Sequence, residues 1–155
     1  RGGTFRWGVH DGNTSDTHDP GTYVTRQMIY LAHTHRSYLT LIEPDNSLGP
    51  DIATSWEATP DAKEWTFELN PNASFHSGKP VTAQDVAFSY RTFKTPEAHP
   101  SLSQPLRELA DAVAVNERTV DLVFSGQHSD RTILTAATFP ILQETFFNGF
   151  AFDRG

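Results

Sequence analysis

Between Glu64 and Phe93 the spacing of apolar residues changes period, which restricts the chain to folds where strands and a helix share one core. In "EWTFEL" (64–69) Trp65, Phe67 and Leu69 alternate with Glu64, Thr66 and Glu68. That is the period-two pattern of a strand with one buried face. In "VTAQDVAFSYRTF" (81–93) Val86, Tyr90 and Phe93 recur at helical spacing and fall on one stripe. The intervening "FHSGKP" is turn material. Thr82 stands as a helix cap, and Asp85 three residues later completes a capping box. Each side chain there accepts from a backbone N–H that the helix itself leaves unpaired. Phe88 lies opposite the stripe, so contact on a second side of the helix is expected, and Pro96 ends it.

The strand has local partners. Ala53–Ala58 and Glu64–Leu69 read as a hairpin turning through Pro60-Asp61, and "ADAVAVNERTVDLVFSG" (110–126) reads as a second one with Asn116-Glu117 at its turn. A short helix is expected near 129–137. Toward the N-terminus, "TFRWGV" (4–9) alternates Phe5, Trp7 and Val9 with Thr4, Arg6 and Gly8, which predicts a further strand. "HDGNTSDTHDPGT" has no periodicity and is loop. From Thr22 a helix is predicted with Val24, Met28, Leu31, Ala32 and Leu39 on one stripe, stopped by Pro44 and the turn-like "PDNSLGP". Neither a repeat nor a low-complexity linker interrupts the chain. The fold class is mixed α/β.

Composition narrows the function classes. With 155 residues, 11 Phe and 3 Trp, the chain suits one domain with a core of its own. Twelve basic against 19 acidic residues give a net charge of -7, so no basic stripe is available to neutralise phosphates and nucleic acid is not an expected partner. No stretch approaches the roughly 20 apolar residues of a membrane helix, so no direct membrane insertion is expected. The absence of cysteine removes disulfides, thiolate metal sites and thiol nucleophiles together. "TFPILQETFFNGFAFDRG" holds Phe139, Phe146, Phe147, Phe150 and Phe152. Such a run needs a cover, and the expectation is a chain that continues past Gly155.

The stretch from Leu39 to Tyr90, "LTLIEPDNSLGPDIATSWEATPDAKEWTFELNPNASFHSGKPVTAQDVAFSY", resembles the signature region of the family 5 extracellular solute-binding proteins. Leu48, Pro50, Ile52-Ala53, Ser55-Trp56, "DAKEWTFEL", "FHSGKPVTAQDV" and Phe88-Ser89 carry the resemblance. "GGTFRWG", "SDTHDP", "RTVDLVFSG" and "FPILQETFF" are similar to flanking elements of the same family, in the same order. The resemblance implies a type II periplasmic-binding-protein-like first lobe, incomplete, with strand hairpins and flanking helices. Residues 1–155 would be the N-terminal portion of that lobe, and the 52–94 signature would lie in a peripheral subdomain. It further implies a receptor of an ABC importer, periplasmic or extracellular and membrane-tethered, that hands peptide-like or other small solutes to permease subunits. It implies no cofactor. One departure from the family pattern is Asn70-Pro71-Asn72, where a basic residue and Gly are usual. Asn72, tolerant of positive φ, is expected to preserve the turn.

Each candidate site is set against a plainer reading. The resemblance places the edge bearing the first loop toward the ligand cleft, which makes His10, Asp11, Gly12, Asn13 and Thr14 the candidate ligand-binding residues. The plainer reading is an ordinary solvated loop. Seven histidines invite a metal, but His33 and His35 stand two apart on a predicted helix and point to different faces. His10 and His18 flank an Asp-rich loop without the usual ligand spacing, so no metal site is expected. His128, Ser129 and Asp130 are consecutive, whereas a catalytic triad converges from separate elements. No G-x-S-x-G, H-E-x-x-H or phosphate-binding glycine loop occurs, and no enzyme is expected. The function that follows is a solute receptor. The alternative is a self-standing interaction module that retains a receptor-like subdomain.

Overall fold

The computed structural model describes residues 2–20, 25–95, 103–126 and 139–147. The elements in chain order are α1 (Arg26–His35), β1 (Thr40–Ile42), β2 (Leu48–Pro50), β3 (Ala53–Ala58), β4 (Glu64–Leu69), α2 (Ala83–Lys94), β5 (Leu109–Ala114), β6 (Thr119–Phe124) and α3 (Glu144–Phe147). Among the described residues, β1 and β2 form one two-stranded sheet, and a four-stranded sheet runs in the order β3-β4-β6-β5. All pairs are antiparallel.

Both predicted hairpins form at the predicted places. In the larger sheet Trp56 faces Phe67, Phe67 faces Val120, and Ala114 faces Val120 across the ladders. Residues directly opposite share a face, so one apolar face runs across all four strands. It buries Phe67, Leu69, Val120, Leu122 and Phe124. The other face is polar at its centre, where the Thr66 hydroxyl donates to Asp121 at 2.7 Å and the Thr119 hydroxyl to Glu68 at 2.9 Å.

Helix α2 lies on the apolar face through the predicted stripe: Val86, Tyr90 and Phe93 are all buried. Phe88, on the opposite side, is partly buried against the same core. The segment around Phe139 packs on the stripe itself, its ring 5.5 Å from that of Tyr90 and 6.1 Å from that of Phe93.

The capping box at Thr82 and Asp85 is present, and Asp85 does more than cap. One carboxylate oxygen accepts from the Thr82 N–H at 3.1 Å and from its hydroxyl at 2.7 Å; the other accepts from the Glu144 N–H at 2.9 Å. Lys79 Nζ stands 3.8 Å from that second oxygen. One turn further on, the Ser89 hydroxyl donates to the Asp85 carbonyl and accepts from the Leu142 N–H, at 2.7 and 2.8 Å. A polar edge of α2 thus ties down residues 142–144.

Several expectations need correction. Residues 4–9 form no strand. Their backbone has no ladder to join among the described residues, and Phe5, Trp7 and Val9 are 87%, 53% and 37% exposed. Helix α1 ends at His35, so Leu39 is not on its stripe; it is buried from the connection after the helix instead. Residues 40–42 then pair with 48–50 around a turn in which Asn46 has φ 65°. Asn72 does not adopt positive φ. The turn is held by the Asn70 side chain, which accepts from the Asn72 N–H at 2.9 Å. The proposed helix at 129–137, the triad residues 128–130, Thr22, Val24, Pro96, Phe150 and Phe152 lie outside the described residues.

Two substitutions separate the cap from the wider role of Asp85. Thr82→Ala removes one cap acceptor and is expected to cost about 1 kcal/mol. Asp85→Ala strands the buried Glu144 and Thr82 donors as well, and should cost about 3 kcal/mol. Urea unfolding of both variants measures the difference. Equal losses would mean that the tie to Glu144 contributes no stability.

Candidate ligand-binding loop

The loop that carries the candidate residues is folded against the start of α1. Thr25 caps that helix by accepting from the Met28 N–H at 3.4 Å. The Thr25 hydroxyl donates in turn to Asp16 at 2.8 Å, and the other Asp16 oxygen accepts from the Asn13 N–H at 2.8 Å. The Asn13 side chain accepts from the Ser15 N–H at 3.1 Å. Asp11, held at φ 82°, accepts from the Arg26 N–H at 3.4 Å. Acidic groups therefore sit at the positive end of the helix dipole, where their charge is favoured.

The five candidate residues are contiguous and exposed. Asn13 is committed to the loop, through its backbone to Asp16 and through its side chain to Ser15. Among the described residues Thr14 reaches only Asn13, at 3.5 Å. Among the described residues Asp11 makes one long hydrogen bond and keeps most of its accepting capacity free. Gly12 lies beside the end of the Gln27 side chain. His10 has no hydrogen-bond partner among the described residues. Sequence reasoning missed Asp16, which joins loop and helix; the signal available was the Asp nine residues before a Thr cap, and that spacing has no local pattern.

The histidines do not converge on one point. His33 stacks on Tyr38 with ring centroids 4.9 Å apart, while His35 meets the edge of the His18 ring at 6.1 Å. Among the described residues no three metal-ligating side chains come together. His33 is exposed at its edge, but the stacked ring loses water, and this desolvation lowers its pKa.

The fold defined by these elements is that of a type II periplasmic binding protein. A structure of AgaA from A. tumefaciens R10, in complex with agropinic acid, superposes with a TM-score of 0.81 at 25% identity, over 93% of this chain and 29% of that one. Haemophilus influenzae OppA, in complex with the peptide RPPGFSPFR, gives 0.77 at 24% identity over 85% of this chain and 29% of that one. The family model described as bacterial extracellular solute-binding proteins, family 5 Middle, matches residues 47–153, and the chain belongs to that family.

The periplasmic oligopeptide-binding protein OppA of H. influenzae is 43% identical over 58 residues, covering 37% of this chain and 11% of that protein. The nickel-binding periplasmic protein of Escherichia coli is 25% identical over 141 residues, 91% of this chain and 24% of that protein. The chain thus spans a quarter or less of the length of these curated relatives. No helix among the described residues is long and apolar enough to cross a membrane.

The lowered His33 pKa sets the sign of a pH effect. The folded chain takes up the His33 proton less readily than the unfolded one. Stability is therefore unaffected well above the ordinary value of 6.5 and falls as the pH drops through it toward the lower folded value. Melting temperatures should decrease from about pH 7.5 to about pH 5.5. His33→Phe, which keeps a ring on Tyr38 and removes the proton, should decrease less; an identical slope would assign the effect to other groups.

Proposed function

We propose that this chain is the N-terminal portion of the first lobe of a solute receptor, which captures peptide-like or other small solutes for the permease of an ABC importer. The observation that carries the reading is the family 5 match over residues 47–153, joined to a superposition that covers nearly all of the chain. The peripheral subdomain built on 52–94 acts as scaffold, because Thr82 and Asp85 are spent on backbone donors and on Glu144. Binding, not catalysis, is the role proposed, and the periplasm or the outer cell surface is the place. The relatives named above are periplasmic binding proteins, which supports that location.

In this reading the loop from His10 to Thr14 contributes polar contacts to the solute. Asp11 is the residue best placed to act, since its carboxylate retains free lone pairs at the surface. An acidic edge of this kind suits a cationic group such as a peptide ammonium. Closure of a second lobe would complete the site by excluding water.

The test uses the complete polypeptide that carries this chain. Thermal shift against di- to pentapeptides, agropinic acid and nickel–histidine should find one class that raises the melting temperature, as mass action requires of a ligand selective for the native state. Asp11→Asn removes the charge while keeping a residue tolerant of positive φ. It should weaken the best ligand severalfold by calorimetry. A polypeptide stabilised by none of these solutes would sink the receptor reading, and undiminished affinity in Asp11→Asn would remove the loop from it.

A further inference from the structure

At the other end of α1 from the loop, the structure holds a cavity of about 390 Å³ between the helix C-terminus, the turn at 74–77 and residues 141–143. Ile52, Phe75, Val81, Ile141 and Leu142 give it apolar walls, and no Asp or Glu lines it in a chain of net charge -7. Its cationic group is Arg36. The Arg36 Nη2 donates to the His18 carbonyl at 2.7 Å, but its Nε–H is shut off from solvent and has no acceptor. A guanidinium cannot discharge itself by losing a proton, so Arg36 keeps a positive charge at the wall of the cavity.

A helix C-terminus ordinarily repels anions through its free carbonyls. Here two of those groups, the Ala32 and His35 carbonyls, have donors of their own. The Ala32 carbonyl accepts from the Arg36 N–H at 2.8 Å. The Leu31 carbonyl takes both the Thr34 hydroxyl and His35 Nδ1. The His35 carbonyl is 3.0 Å from His76 Nε2, which must donate because a carbonyl only accepts. The repulsion at this helix end is therefore reduced, and the cation of Arg36 stands at the cavity wall.

We propose that this cavity binds a small carboxylic acid with a short aliphatic tail, the carboxylate on Arg36 and the tail against Ile52, Val81 and Ile141. The volume is at the lower end of the range for small-molecule sites, and apolar walls with a small number of polar groups, here Arg36 with Ser37, His76 and Gln143 among them, are their usual make-up. Arg–carboxylate pairing supplies the directional contact. The site is separate from the loop at His10–Thr14 and does not depend on the receptor reading.

The experiment is a titration of the isotopically labelled complete polypeptide that carries this chain with 4-methylpentanoate, followed by amide NMR, alongside the neutral 4-methylpentanamide. Saturable shifts are expected at residues 35–37, 75–77 and 141–143, with the amide at least tenfold weaker. Arg36→Gln should lose binding by a similar factor, and Arg36→Lys should retain part of it. If Arg36→Gln fails to fold, the acid–amide comparison on the unaltered chain decides alone. Absence of saturable shifts at millimolar acid, equal binding of acid and amide, or shifts confined to His10–Thr14 would each overturn the proposal.

Discussion

A carboxylate removed from water needs several donors at once, and the arrangement of this molecule follows from where Asp85 finds them. The residue is 1% exposed. Its donors come from the first turn of α2 and from Glu144, with Lys79 of the preceding turn close by. Because those groups lie far apart in sequence, satisfying Asp85 fixes the start of α2 against the segment leading into α3. Once that end is fixed, Tyr90 and Phe93 are directed onto Phe139 on one side and the sheet on the other. Ser89 repeats the arrangement one turn later, so two polar residues set the helix position that the apolar stripe alone would leave free to slide.

What could be read from sequence was what is local. The hairpin turns through Pro60-Asp61 and Asn116-Glu117 and the box at Thr82 each involve residues within a few positions, and each stands where expected. The misses are of two physical kinds. The predicted helix takes in Leu39 because an apolar residue at the right interval looks the same whether a helix continues or the connection after it buries the side chain. The turn signal in Asp45 and Asn46, which joins β1 to β2, argued for the second outcome. The ties from Asp85 to Glu144, from Ser89 to Leu142 and from Asp16 to Thr25 span distances for which sequence offers no periodicity.

The candidate site was legible as a position and not as a mechanism. Composition marked residues 10–14 as loop, and the family likeness directed attention to that edge. Neither indicated that Asp16 would tie the loop to the cap of α1, which turns a polar stretch into a defined surface. The histidine count was a poor guide, since His33 packs on Tyr38, His35 bonds within its own helix, and His76 closes the end of α1.

The strand order β3-β4-β6-β5 carries a consequence for how the chain reaches this structure. Each hairpin closes across a few residues and can zip on its own. The ladder between β4 and β6 cannot, because α2 and the residues around it must first be gathered into the intervening loop. Closing that loop costs chain entropy before any cross-hairpin contact compensates, and pairings of this separation are the slow ones in small domains. The step expected to be slow is closure of the seam where Phe67 meets Val120. Until that seam closes, the β4 and β6 edges stand open at the centre of the future sheet, and this is the interval in which a chaperone would matter most.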